Sequence, residues 1–199
     1  MGERTTLMRL LDSSYYLEPG DIVLTRGTGF ISAAIRWASR SWGEAKTIAN
    51  HVGVIVEGGS LRTAVIAEAR WTYKVHRLWD AYVNTGHQVA IFRAKNLHPA
   101  TRLKIAERAA SFQNTKYGWA KIGLHLLDKF IGGKYFFRRL ARLPNRPICS
   151  YAAAVAYADY GFAFGVKPYA AQPDDIWDYV STSDNYIKIR PMREIRYYA

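Results

Sequence analysis

The sequence predicts an α+β fold, an antiparallel sheet packed with helices, on three observations. The chain has 199 residues, a length that fits one domain and can bury a core without staples. His51–Glu57 (HVGVIVE) and Ala64–Ala69 (AVIAEA) flank Gly58-Gly59-Ser60, two apolar β-branched runs about a turn, which reads as an antiparallel hairpin. Segments of helical spacing then follow the strands in mixed order, without the strict alternation of a parallel α/β sheet.

Residues 1–16 read as an N-terminal arm, and 17–199 as a single domain. Leu17-Glu18-Pro19-Gly20 is turn chemistry, and Asp21–Thr25 (DIVLT) is the first strand. Phe30–Arg40 has helical spacing, with Phe30, Ala33, Ala34 and Trp37 on one stripe. Beyond the hairpin, Gln88–Arg93 is a strand. Pro99–Gln113 is a helix with Leu103, Ala106 and Ala110 on one side and Arg102, Lys104, Glu107 and Arg108 elsewhere. A second helix is expected over Tyr117–Phe130. The Ala-rich run Cys149–Tyr160 is a helix that stops at Gly161. Pro173 with two aspartates starts another helix, and Tyr186–Arg190 is a last strand.

Composition excludes several classes. Hydrophobic residues make up 49% and charged residues 22%, so the chain is not disordered. One cysteine excludes an intrachain disulfide and a multi-cysteine metal site, and no cofactor is expected. No apolar run reaches the roughly 18 residues of a membrane span. Charges within the first dozen residues (Glu3, Arg4, Arg9, Asp12) interrupt any signal-peptide core. The expectation is cytoplasmic synthesis, with any cell-wall substrate reached by lysis, a specialised secretion machine or a partner. The net charge of +12 implies an anionic partner, either a polymer or a membrane surface. Nucleic acid is the weaker choice, because no helix-turn-helix, zinc or RNP signature is present. Oligomeric state is not legible.

The chemistry gathers on three residues. A hairpin turn centred between Gly59 and Ser60 would set His51 directly opposite Glu68, an imidazole beside a carboxylate. Ile55 and Ile66 would share that face, and Val52, Val54, Val56 and Val65 would form the core face. Cys149 opens an apolar helix, whose free N–H groups and dipole favour a thiolate. Nucleophile, base and orienting acid would then stand as in the thiol hydrolases. Each residue also has a plainer explanation. A lone cysteine can be an inert buried residue, and Glu68 can pair with Arg26 or Arg70 instead. His76, His87, His98 and His125 read as surface or structural.

These residues lie in strings that resemble a known family. Pro19-Gly20-Asp21-Ile22, His51-Val52-Gly53-Val54, Ile66-Ala67-Glu68-Ala69, Ile148-Cys149-Ser150 and Pro173-Asp174-Asp175-Ile176 are similar, in order, to motifs of the YiiX-like proteins. These are the circularly permuted branch of the NlpC-type, papain-like cysteine hydrolases. The resemblance runs from about residue 17 to 177 and implies a permuted papain-like fold. It also implies Cys149 as nucleophile, His51 as general base and acid, and Glu68 as its orienting group. Tyr117, in Lys116-Tyr117-Gly118-Trp119, resembles a tyrosine that precedes the nucleophile and would help hold substrate or oxyanion. Tyr151 stands where the family often has a glutamate.

The implied activity is cysteine hydrolysis of an amide bond, in peptidoglycan peptides or a lipid or amino-acid amide. Two alternatives are a thiol enzyme of the lipid acyltransferase or phospholipase type at anionic membranes, and a non-enzymatic polyanion-binding module. The stretch 129–146 reads as a basic insertion, with six cations, no acid and interleaved aromatics. It suits an anionic membrane surface or polymer, and its Gly132-Gly133 break suits a flap over Cys149. It reads equally as a solvated basic helix with its aromatics packed on the domain.

Overall fold

A computed structural model describes residues 15–27, 48–70, 72–115 and 149–197. The helices expected over Phe30–Arg40 and Tyr117–Phe130, the candidate Tyr117, the basic stretch 129–146 and most of the arm 1–16 lie outside the described residues.

In chain order the strands are β1 (Tyr16–Leu17), β2 (Ile22–Arg26), β3 (His51–Glu57), β4 (Gly59–Ser60), β5 (Val65–Ala69), β6 (Tyr73–Arg77), β7 (Gln88–Ala94) and β8 (Tyr186–Glu194). The helices are α1 (Leu78–Tyr82), α2 (Pro99–Ala110), α3 (Cys149–Ala158) and α4 (Pro173–Thr182). Six strands form one sheet in the order β6-β5-β3-β2-β7-β8, antiparallel throughout. The fold is therefore α+β, an antiparallel sheet packed with helices.

Both faces of the central strands are buried, which is why they read as near-continuous apolar runs. Ile22, Leu24, Val52, Val54, Ala67, Ala90 and Phe92 point to one core, which α2, α3 and α4 cover. Val23, Ile55, Ile66, Val89 and Ile91 point to the other, closed by Leu17, Leu61, α1 and Ile195. Ala152, Ala153, Ala154 and Ala156 of α3 are all buried, and their small side chains let that helix lie close on β3.

The hairpin register departs from the expected one. Gly53, not His51, stands opposite Glu68, followed by Val54 opposite Ala67 and Ile55 opposite Ile66. The reason is the connection. Gly59–Ser60 pairs with β1 rather than forming the turn. The chain instead turns over Leu61–Ala64, where the Thr63 and Ala64 N–H groups donate to the Ser60 carbonyl at 3.1 and 2.9 Å. The displacement is two residues, so every side chain keeps its expected face. His51 becomes the diagonal neighbour of Glu68 instead of its direct partner.

Helix α2 is also rotated from expectation. Its buried residues are Arg102, Ile105, Ala106 and Ala109, while Leu103 is 53% exposed. The inward turn of Arg102 is explained by the Pro19-Gly20-Asp21 corner. The fully buried Asp21 carboxylate accepts Arg93 Nε at 2.8 Å and Nη2 at 2.7 Å. Arg93 Nη1 also donates to Glu18 at 2.6 Å, and Arg102 Nε lies 3.3 Å from the other Glu18 oxygen. Gly20 has φ +82°, the left-handed region that glycine tolerates. Its N–H donates to the Ile55 carbonyl at 2.8 Å, and its own carbonyl accepts the Tyr157 hydroxyl. The corner thus locks β2, β3, α2 and α3 together. Burial lifts the Asp21 pKa more than Arg93 lowers it, so this carboxylate depends on its arginine. Arg93→Ala is expected to lower stability by about 3–5 kcal/mol by leaving a buried carboxylate without its main partner. Chemical denaturation checks this, and a loss under 1 kcal/mol would contradict it.

Candidate functional site

Cys149, His51 and Glu68 come together at one end of the sheet. Cys149 is the first residue of α3 and is only 6% exposed. His51 is the first residue of β3, with its side chain 17% exposed. Glu68, near the end of β5, is fully buried.

Two contacts fix the segment that delivers His51. Asn50 donates its N–H to the Thr25 carbonyl at 3.0 Å and accepts the Gly27 N–H on Oδ1 at 2.9 Å. Asp174, in the first turn of α4, accepts the N–H groups of Ile48 and Ala49 at 2.9 and 3.3 Å. The Pro173-Asp174 start is therefore more than a helix start. It ties α4 to the approach to β3.

Glu68 is the hub. Its Oε2 accepts His51 Nε2 at 2.8 Å and the Tyr82 hydroxyl, and its Oε1 accepts His76 Nε2 at 2.8 Å. Arg70 Nε lies 3.8 Å from Oε1. Burial alone would raise the Glu68 pKa, but the bonds from His51, His76 and Tyr82 outweigh it and hold the carboxyl well below the ordinary range. An ionised carboxylate only accepts, so Nε2 of each histidine carries a proton. That leaves Nδ1 of His51 for the hydrogen bond it shares with Cys149.

Cys149 and His51 shift each other. Burial opposes thiolate formation. The charge and hydrogen bond of His51, with the backbone N–H groups of Val52 and Ser150, outweigh it and lower the thiol pKa. Burial likewise opposes a charged His51, but the thiolate and Glu68 raise its pKa to about 10. Both shifts favour a thiolate beside an imidazolium, the form in which a cysteine is most nucleophilic. Tyr73 of β6 is buried close by, with its pKa raised by burial and then by the charges of Glu68 and Cys149.

Of the arginines weighed as alternative partners, Arg70 does approach Glu68, alongside His51 rather than in its place. His76, which the sequence reads as surface or structural, is 26% exposed and donates to Glu68. A signal existed. In Tyr73-Lys74-Val75-His76 the aromatic and apolar residues alternate with polar ones, a strand pattern that would have set His76 on the face of Glu68. Tyr82 carried no such signal, because α1 is only five residues long. Among the described residues, no group of three or more His, Cys, Asp or Glu is disposed to hold a metal ion.

No protein-family model matches the chain, and no curated protein matches it. Among solved structures, it is similar to the crystal structure of the metalloprotein yiiX from Escherichia coli O157:H7. The TM-score is 0.57 at 16% identity, over 86% of this chain and 96% of that one. At that identity the likeness bears on architecture alone, and the chain has a YiiX-like fold.

Proposed function

We propose that the protein is a cysteine hydrolase of amide bonds, working through Cys149, His51 and Glu68 on a permuted papain-like framework of the NlpC type. The observation that supports this is the convergence of three groups: His51 bonded to the fully buried Glu68 at 2.8 Å and paired electrostatically with Cys149. The thiolate attacks the carbonyl carbon and forms an S–C bond. N–H groups at the start of α3 are suited to the developing oxyanion, and Tyr117 is the further candidate that the family resemblance supplies. Imidazolium His51 gives its proton to the leaving amine as the C–N bond breaks. Neutral His51 then takes a proton from water, which attacks the thioester and releases the acid.

The +12 charge favours an amide presented on an anionic polymer or membrane surface, with peptidoglycan peptides first and lipid or amino-acid amides next. The structural neighbour is described as a metalloprotein. The donors gathered here do not suit a metal, because both imidazole Nε2 atoms are spent on Glu68.

The test is to incubate the protein with peptidoglycan stem-peptide fragments and with lipid amides and esters. Released amine is then measured, with intact mass of the trapped acyl-enzyme. Amine release with an adduct on Cys149 is expected. Transfer to an added alcohol in place of water would favour the acyltransferase alternative. Amine release without any dependence on Cys149 would overturn the proposal.

A further inference from the structure

We propose that His76 is a positioning residue of the thiol centre, acting through Glu68 and not on the substrate. The inference rests on the reading of Cys149, His51 and Glu68 as that centre, and adds a fourth member from the neighbouring strand.

Glu68 divides its two oxygens between different tasks. Oε2 serves His51, and Oε1 serves His76 at the same 2.8 Å. A carboxylate held by one oxygen alone can swing about its terminal bond. Held on both oxygens, by two rings from strands on either side of β5, it has one orientation. His76 pairs across the ladder with Ile66, the residue two before Glu68 on the same face, so β6 sets where that second bond comes from. Tyr82 closes the same carboxylate from α1. His51 inherits the result: with the Glu68 plane fixed, its Nε2–H has one partner position, which leaves Nδ1 for Cys149.

The position of His76 fits this role better than a catalytic one. Its contact with the centre passes through the far oxygen of Glu68, and its side chain is 26% exposed on the edge strand of the sheet. The charged and titratable groups around the pair are His51 on β3, Glu68 on β5 with Arg70 just after it, Tyr73 and Lys74 on β6, Tyr82 on α1, and His87 ahead of β7. His87 is lowered by burial, and then by Arg70 and His51.

The test compares wild type, His76→Leu and His76→Gln, with His51→Ala as reference. Each is alkylated at Cys149 with iodoacetamide from pH 4 to 10, and folding is checked by circular dichroism. Leucine keeps the bulk and loses the donor, whereas the glutamine amide can supply the same N–H to Oε1. For His76→Leu the thiol profile is expected to move up by about one pH unit, a roughly tenfold loss of thiolate below it. His76→Gln should recover most of the loss. A folded His76→Leu protein with the wild-type profile would overturn the inference, as would His76→Gln showing the same loss as His76→Leu. If His76→Leu does not fold, His76→Gln against wild type decides, and a full tenfold loss there counts against the proposal. An ordinary thiol profile in wild type, unchanged in His51→Ala, would instead remove the thiol centre on which the inference stands.

Discussion

Cys149→Ala is expected to abolish amine release while leaving the fold intact. The loss should be about 10⁴-fold or more, the scale on which removal of a triad nucleophile acts. The side chain is small and buried at the first turn of α3, so alanine leaves little cavity. What it removes is the thiol that would carry the proposed acyl-enzyme. Cys149→Ser should be nearly as inactive. A hydroxyl has a far higher pKa than a thiol, so the stabilisation that His51, Val52 N–H and Ser150 N–H give a thiolate would not suffice to ionise it. The check is single-turnover amine release by both variants against wild type, with thermal melts to show that each is folded. Residual release within tenfold of wild type in Cys149→Ala would contradict the mechanism.

Glu68→Ala is expected to be costly in stability as well as activity, by about 3–5 kcal/mol. In a protein of this length that corresponds to a fall in Tm of roughly 6–20 °C. The carboxylate is fully buried and takes hydrogen bonds from His51, His76 and Tyr82. Its removal leaves the His51, His76 and Tyr82 donors facing a void, and leaves Cys149 as the one remaining counter-charge of His51 in the described centre. Glu68→Gln keeps the shape but offers one acceptor oxygen, and its amide N–H₂ meets another donor, so an intermediate loss is expected.

The pH dependence has a definite sign. The folded-state pKa of Glu68 lies below its unfolded value. Its contribution is therefore complete above the ordinary carboxylate range and is lost as pH falls through that range toward the folded value. His51 is raised to about 10, so its share is complete below the ordinary histidine range and is lost as pH rises through 10. The stability gap between wild type and Glu68→Gln should be widest between the ordinary carboxylate and histidine ranges, still large at pH 7, and narrow at both ends. Denaturant titrations at pH 3, 7 and 10 measure it, and a gap independent of pH would contradict the ion-pair account.

The sequence was most legible where local pattern and tertiary role coincide. The alternation in His51–Glu57 and Val65–Ala69 put His51 and Glu68 on one face, and the face survived even though the register did not. It failed where a long-range partner decided the outcome. Gly59–Ser60 reads as a turn, but pairing with β1 overrides that local preference. Leu103 reads as core, but the ion-pair cluster around Asp21 and Glu18 draws Arg102 inward and turns Leu103 to solvent. For His76 the alternation of its strand gives the face but not the partner, and the bond of Tyr82 to Glu68 has no signature in spacing alone. Leu17-Glu18-Pro19-Gly20 reads as a turn, and Pro19-Gly20 is one, but the Asp21 that follows also anchors a buried arginine cluster.

The central claim is that Cys149 and His51 form a thiolate–imidazolium pair oriented by Glu68. The pH dependence of Cys149 alkylation in wild type and His51→Ala tests it most directly. The account predicts a wild-type thiol that reacts well below the usual cysteine range, with a profile that shifts upward when His51 is removed. A thiol of ordinary pKa whose profile is the same in both proteins would contradict it.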